Sequence, residues 1–352
     1  MKFKNTRILA IESFLPTEMT TSDDIEENLS EVYQKLKLPI GRLEMMTGIK
    51  ERRLWPSGTR PSDLSTNAAE KIFKTKPQLR DKIDLLIHSS VCRDFLEPST
   101  ASVIHANLSL KTESMIFDLS NACLGAINAI VMAAHMIDAG TIKHALIVTG
   151  ENGGPLLEET TTMLNQKARS GELNRKNIKK YIANLTIGSA ATAILLGSGD
   201  LYPQCPEVLG GAVCTDSSAN DLCRGDGSPH SLMMETDSEA LLHKGIALAK
   251  LTWQKAKDEL GWNKDSLDWV LTHQVGKAHE ELTLNALEVN EVPTFRTYPY
   301  LGNTGSSALP VTLEQLISNQ TTYLKNDDHI ALMGIGSGLT SMILGVRWGK
   351  LL

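Results

Sequence analysis

The sequence predicts an α/β protein made by duplicating one strand–helix unit, with mixed or parallel sheets covered by helices. Three observations carry this. The run Ile83–Ser90 (IDLLIHSS) is echoed by Leu267–Gln274 (LDWVLTHQ). The run His144–Gly150 (HALIVTG) is echoed, at nearly the same spacing, by His329–Gly334 (HIALMG). Between the members of each pair lie MIFDLSNACLGAIN and TFRTYPYLGNTGSSALP, each read as a strand-like run, a Gly-containing turn and a helical pattern. Short apolar runs separated by charged, helical segments read as strands, and repeated strand–helix units imply sheets with helices on their faces. Two similar halves packed face to face follow, over 1–200 and 201–352. The polar, Lys/Glu-rich segment 156–185 has no counterpart in the second half and is read as an insertion capping one end.

Composition narrows the function classes. A chain of 352 residues with 41% hydrophobic and 22% charged residues is ordinary for a globular protein. A net charge of -6 gives no basic footprint for nucleic acid. The cysteines at 92, 123, 205, 214 and 223 are odd in number and include no CxxC pair. That pattern suits neither a disulfide framework nor a zinc site and fits a reducing, cytoplasmic compartment. In the N-terminal MKFKNTRILAIESFLPTE, Glu12 interrupts the apolar run, so a first β-strand is expected rather than a signal peptide. The apolar stretch Leu124–Met136 contains Asn128 and His135 and is too short to span a bilayer. No metal site, nucleic-acid contact or stable membrane insertion is expected.

The echo also positions the chemistry, because ligands of open α/β sheets bind beyond the carboxyl ends of strands. Cys123, His273 and Asn303 all fall just after apolar runs. Cys123 sits where MIFDL gives way to the helical AINAIVMAAHMI, and a helix N-terminus there would favour the thiolate. The small Ala122 and Gly125 leave room for a substrate beside the sulfur. Each residue also has an ordinary reading: a buried structural cysteine, a satisfied core histidine, an asparagine between glycines doing turn chemistry. The functional reading rests on all three occurring at equivalent strand ends.

NACLG, the run ending in His273-Gln274, GNTGSSALP and the turn MGIGSGLTS together resemble the thiolase superfamily, in its ketoacyl synthase III branch. The Cys-His-Asn order and the His273–Asn303 separation match. The resemblance extends over nearly the whole chain, including TGIKERR at 47–53. It implies a thiolase-like duplicated αβαβα layered fold with two mixed sheets, acting as a homodimer. It further implies that Cys123 takes an acyl group as a thioester. His273 and Asn303 would then donate hydrogen bonds to the thioester oxygen of a second substrate, stabilising its enolate. The backbone N–H groups of Cys123 and Ser337 would form an oxyanion hole. Two departures stand out. The Trp and Arg that usually precede Thr47-Gly48-Ile49 and contact coenzyme A are replaced by Gly41-Arg42-Leu43-Glu44-Met45-Met46. Arg42, Arg52 and Arg53 are left as candidates for its phosphates. After His273-Gln274 the usual Ala-Asn is Val275-Gly276.

Glu97 distinguishes this chain within the branch. Relatives commonly place an apolar residue before the Pro-Ser that is Pro98-Ser99 here. A glutamate there is similar to the OleA-type head-to-head acyl-CoA condensing enzymes. In that group the glutamate reaches the site from the partner subunit and deprotonates a fatty acyl α-carbon. A carboxylate in an apolar channel would be shifted towards a useful basicity. The function so implied is non-decarboxylative Claisen condensation of two fatty acyl-CoA molecules to a 2-alkyl-3-oxoacid. Coenzyme A enters only as part of the substrate, with no separate cofactor. Pathway enzymes or an acyl carrier protein are further partners to consider. The competing readings are decarboxylative condensation with malonyl-acyl carrier protein and a silent acyl-binding subunit. Met45, Met46, Met132, Met136, Met233 and Met234 are candidates to line acyl tunnels or to fill the core.

Overall fold

The computed structural model describes residues 1–225, 233–319, 321 and 324–352. Its strands, in chain order, are β1 (Thr6–Phe14), β2 (Glu18–Thr21), β3 (Glu51–Leu54), β4 (Leu85–His88), β5 (Met115–Asp118), β6 (His144–Glu151), β7 (Ala190–Ser198), β8 (Glu207–Thr215), β9 (Cys223–Gly225), β10 (Met234–Thr236), β11 (Trp269–Thr272), β12 (His329–Gly336) and β13 (Thr340–Arg347). The basic N-terminal run thus enters β1.

Among the described residues, nine strands join in the order β11-β12-β13-β8-β1-β7-β6-β4-β5, while β2-β3 and β9-β10 form separate pairs. The duplication is visible in this order. Outward from its first strand, the first half runs β1-β7-β6-β4-β5, with β4 parallel to β5 and β6. The second half runs β8-β13-β12-β11, with β11 parallel to β12. The echoed sequence pairs are therefore equivalent strands, β4 with β11 and β6 with β12. The two mixed half-sheets meet where Arg7 of β1 lies opposite Glu207 of β8, and the segment before β1 extends the seam through Lys2 opposite Gly210 and Phe3 N donating to the Leu209 carbonyl at 3.0 Å.

The last strand of the first half has no counterpart. Residues 293–297, read as strand-like, are irregular. Only Pro293 touches the ladder, its carbonyl accepting from Val270 N at 2.9 Å. Proline has no N–H to give a sheet, and the Thr297 and Tyr298 amides donate instead to the Gln274 side chain, at 2.8 and 3.1 Å. Asn303 accordingly follows a single helical turn, Tyr298–Leu301, rather than a strand.

Apolar patterning sets the layers. Helix Gly125–Asp138 buries a broad stripe, Ala126, Ile127, Ala129, Ile130, Ala133, Ala134 and Ile137, and leaves Met132, His135 and Asp138 exposed on the opposite side. With Leu309, Leu313 and Leu316 of helix Ala308–Ser318, it packs among Ile87 and Ile194 of one half-sheet and Leu271, Leu332 and Leu344 of the other. Helices Pro61–Thr75 and Thr100–Asn107 cover the far face of the first half-sheet. Helices Ser238–Leu260 and Lys277–Ala286 cover the far face of the second. The insertion carries its own core: Leu157, Leu164, Ile178 and Tyr181 pack on Ile25, Leu29, Val32 and Leu36. Of the methionines, Met136 packs on the central core and Met233 on the insertion core, whereas Met45, Met46 and Met132 are exposed in the single chain. No helix among the described residues is long and apolar enough to cross a membrane.

Candidate active site

Cys123, Glu151, His273 and Ser337 lie at or just past the carboxyl ends of β5, β6, β11 and β12. Cys123 lies between β5 and helix Gly125–Asp138, just after Ala122, whose φ of 47° is uncommon for a residue with a side chain. The helix start is pinned from the second half: Ala126 N donates to Ser306 Oγ, and Ser306 Oγ donates to the Ser89 carbonyl, each at 2.8 Å. A Cβ at Gly125 would stand 2.6 Å from Ser89 Oγ and 2.9 Å from Ser306 Oγ, so this close approach requires glycine. The cysteine is half-buried and free. Burial first, then the charge of Glu151 and the neighbouring Cys223, push its thiol up to about 12. This corrects the expectation of a helix-stabilised thiolate. Cys123 precedes the first helical residue by two positions, and desolvation there outweighs the dipole. The resting sulfur is a thiol.

His273 follows β11, its amide donating to the Met333 carbonyl at 2.8 Å. The neighbouring Gln274 donates to the Thr272 carbonyl at 2.8 Å while its Oε1 holds Thr297 and Tyr298, tying the His273 loop to the segment that leads to Asn303. The imidazole is 4% exposed, and burial, with His279 close by, pushes it down to about 3. It is neutral at pH 7. Nδ1 is sealed from solvent without a hydrogen-bond partner among the described residues, which leaves Nε2 to serve the open side.

Asn303 is fixed by its backbone, donating to the Thr186 carbonyl and accepting from Gly188 N, each at 2.9 Å. Its Oδ1 accepts from Gly305 N at 3.1 Å. With the oxygen so engaged, the Nδ2 protons are left as donors. Ser337 lies in the turn from β12 to β13. A Cβ at Gly334 would stand 2.3 Å from Leu124 and one at Gly336 would stand 3.2 Å from it, so β12 runs hard against the Cys123 loop.

Glu151, which the sequence reading missed, closes β6 and is only 4% exposed. Its Oε1 accepts from Val91 N at 2.9 Å and from Ser306 N at 3.0 Å, and its Oε2 accepts from Cys92 N at 3.2 Å. One carboxylate thus joins the Glu97 loop to the Asn303 loop beside Cys123. The available signal was a lone acid ending the apolar run HALIVTGE.

Glu97 itself is exposed, on a loop where Val91, Phe95 and Leu96 (79%) are exposed too. The loop is held by Asp94, whose carboxylate accepts from Ser62 N at 2.9 Å and Ser62 Oγ at 2.6 Å. No hydrogen bond or ion pair among the described residues joins Glu97 to Cys123, His273 or Asn303.

The arginines separate clearly. Arg52 is 0% exposed; it donates to Ser22 Oγ at 3.2 Å and to the Leu185 carbonyl at 3.0 Å, and burial pushes its guanidinium down to about 10. It cannot meet a phosphate at the surface, which corrects that expectation. Arg53, partly exposed, pairs with Glu51 at 3.2 Å, and Arg42 opens the short helix Arg42–Thr47 partly exposed. Cys92 shares this environment: burial, then Glu151, push its thiol well above its ordinary value too.

Known proteins match this chain in sequence and in fold. Residues 117–204 match the 3-oxoacyl-[acyl-carrier-protein] synthase III family and residues 258–348 its C-terminal family. The chain is 35% identical to an acyl-CoA:acyl-CoA alkyltransferase of Xanthomonas campestris pv. campestris, covering 99% of this chain and 100% of that protein. It is 33% identical to the acyl-CoA:acyl-CoA alkyltransferase of Shewanella oneidensis, covering 99% and 100%. The crystal structure of cerulenin-bound Xanthomonas campestris OleA superposes with a TM-score of 0.93 at 35% identity, over 99% of this chain and 98% of that one. Matching in sequence and fold along its whole length, the chain belongs to the ketoacyl synthase III-like branch of the thiolase superfamily, among the OleA-type acyl-CoA:acyl-CoA alkyltransferases.

Proposed function

We propose that the protein joins two fatty acyl-CoA molecules head to head by non-decarboxylative Claisen condensation through an acyl-Cys123 intermediate. The observation that carries the reading is the full-length match, in sequence and fold, to acyl-CoA:acyl-CoA alkyltransferases, and the Cys123 thiol, the neutral His273 imidazole and the free Nδ2 of Asn303 suit its chemistry. In the first step the Cys123 sulfur attacks the thioester carbonyl. The thiol proton ends on the sulfur of the departing CoA, leaving Cys123–S–CO–R and CoA–SH. In the second step an α-proton of another acyl-CoA is removed. The resulting enolate oxygen is held by His273 Nε2–H and Asn303 Nδ2–H, and its carbon attacks the acyl-cysteine carbonyl. The N–H groups of Cys123 and Ser337 receive the oxyanion, and Cys123 leaves and regains its proton. Hydrolysis of the remaining thioester gives the 2-alkyl-3-oxoacid and a second CoA. Preorganised donors aimed at both developing oxyanions supply much of such catalysis.

Glu97 is the base, acting in the site of a second subunit. Supporting this, β5 is one edge of the nine-stranded sheet and carries the exposed Met115, and Val91, Phe95 and Leu96 of the Glu97 loop are exposed apolar side chains too. An unpaired apolar edge is covered in a stable protein, and a second copy would bring the Glu97 loop across. Arg42 and Arg53 remain for the CoA phosphates. The reading needs no cofactor beyond the substrate's own coenzyme A and fits a cytoplasmic homodimer. Incubation with one long-chain acyl-CoA, without any malonyl thioester, tests it. Free CoA and the 2-alkyl-3-oxoacid, or the ketone left when that acid loses CO₂, are expected by mass spectrometry; product only after malonyl-acyl carrier protein is added makes it a decarboxylative synthase.

A further inference from the structure

A small cavity lies behind His273, on the face of the second half-sheet turned away from Cys123. It measures about 20 Å³ and is lined by Thr272, His273, His279, Thr283, Met333 and Ser341, among others. Its side of the sheet is set by Val270, Ala331, Met333 and Ile343, which pack with Trp253 and Ala256 of the outer helix layer. Leu271 and Leu332 face the other way, towards helix Gly125–Asp138. Thr272 Oγ1, His273 Nδ1 and His279 Nδ1 are each sealed from solvent with no protein hydrogen-bond partner among the described residues. His273 and Thr272 are buried as whole residues, and His279 is partly accessible at its other edge.

We propose that this cavity is a built site for one water molecule, held by Thr272, His273 and His279, which fixes the His273 tautomer whose Nε2 donates into the active site. The inference deepens the role given to His273 above and rests on that reading. A buried polar atom left unpaired is costly, and three such atoms on residues lining one cavity form a strong site. A water needs about 10–15 Å³ and two to four polar partners, and both conditions are met.

The chemistry explains why such a site matters. A neutral imidazole carries one N–H. With that proton on Nδ1, Nε2 is an acceptor and can give nothing to an enolate oxygen. With it on Nε2, Nδ1 must receive a hydrogen bond from behind. The water supplies it, one of its protons going to His273 Nδ1 and the other to the hydroxyl of Ser341 or Thr283. Its oxygen accepts from His279 Nδ1–H and Thr272 Oγ1–H. His279 and Thr272 are therefore positioning residues, as outer partners of a metal-bound histidine fix its tautomer.

Long-range proton–nitrogen NMR of ¹⁵N-histidine-labelled, substrate-free protein at neutral pH reads the tautomer directly, with His273→Asn assigning the signal. The wild type should show His273 protonated at Nε2, and His279→Leu should move its signal towards the Nδ1–H form. In the same variant condensation should slow at least tenfold, with the CoA burst from Cys123 acylation and the KM unchanged. His279→Gln, with an amide able to reach the cavity, should recover part of the rate. If His279→Leu does not fold, the isosteric Thr272→Val should give the same shift more weakly. A wild-type His273 protonated at Nδ1 overturns the proposal, as does a dry cavity at high resolution or a tautomer unmoved in both variants. Because the tautomer is read without substrate, a failure to condense acyl-CoA would count against the proposed function alone.

Discussion

Replacing Glu151 with glutamine changes one heavy atom of a buried side chain, and the geometry says which contacts survive. Val91 N and Ser306 N both donate to Oε1, at 2.9 and 3.0 Å, so an amide oxygen there keeps both bonds, though without the charge that strengthens them. Cys92 N donates to Oε2 at 3.2 Å, and in the variant it would face an NH₂ group, donor against donor. One buried amide is orphaned, which costs about 1–3 kcal/mol. Weakening the other two adds on the order of 1 kcal/mol. Glu151→Gln should therefore lose about 2–4 kcal/mol in urea unfolding. It should also move the alkylation profile of Cys123 to lower pH, because the Glu151 charge is one of the causes holding that thiol up. Iodoacetamide labelling across pH, followed by peptide mapping to separate Cys123 from Cys92 and Cys223, reads the second effect. A variant as stable as the wild type, or a Cys123 profile that stays put or moves to higher pH, would refute the role given to this carboxylate.

Other perturbations separate chemistry from scaffolding. Cys123→Ala should abolish turnover with the fold intact, and brief exposure of the wild type to acyl-CoA should give one adduct, at Cys123; an adduct at Cys92 with an active Cys123 variant would overturn the assignment. Glu97→Gln should release one equivalent of CoA and then stall, since a positioned base contributes about a hundredfold to ten-thousandfold; condensation at the wild-type rate would remove Glu97 from the mechanism. His273 and His279 are held neutral by burial, at about 3 and about 4 against an ordinary 6.5. The unfolded chain therefore binds protons below pH 6.5 that the folded chain refuses, and stability is lost as pH falls from 6.5 towards 3, at up to ~1.4 kcal/mol per pH unit for each histidine. Denaturation at pH 7, 6 and 5 should show this slope, and His279→Phe should reduce it. Arg52→Met should lower stability and leave the KM for acyl-CoA unchanged; the reverse pattern would return Arg52 to the substrate.

The places of Cys123 and His273 just past strands were legible in the sequence because strand ends are encoded locally. Cys123 and His273 stand where apolar runs stop, and the same runs recur in the other half. Glu151 stands at such an end too. Its importance, however, comes from three amides in two remote loops, which no local pattern reports. Arg52 was misread although the alternation of β3 could have placed it. Its neighbours Glu51 and Arg53 sit on the partly exposed face and Arg52 on the buried one. The thiolate expectation failed because a helix start is visible in sequence and desolvation is not. The missing second-half edge strand failed for a related reason, as Gln274 takes the amides that a ladder would have used.

The central claim is that an acyl-CoA, with no carboxyl group to lose, is the nucleophile attacking acyl-Cys123. Acyl-enzyme made from one chain length can be freed of excess acyl-CoA and then mixed with acyl-CoA of a second length. The account predicts that the cysteine adduct disappears as a 2-alkyl-3-oxoacid combining the two chains, or the ketone left when that acid loses CO₂, forms. An adduct that persists with acyl-CoA and discharges only when a malonyl thioester is added would contradict it.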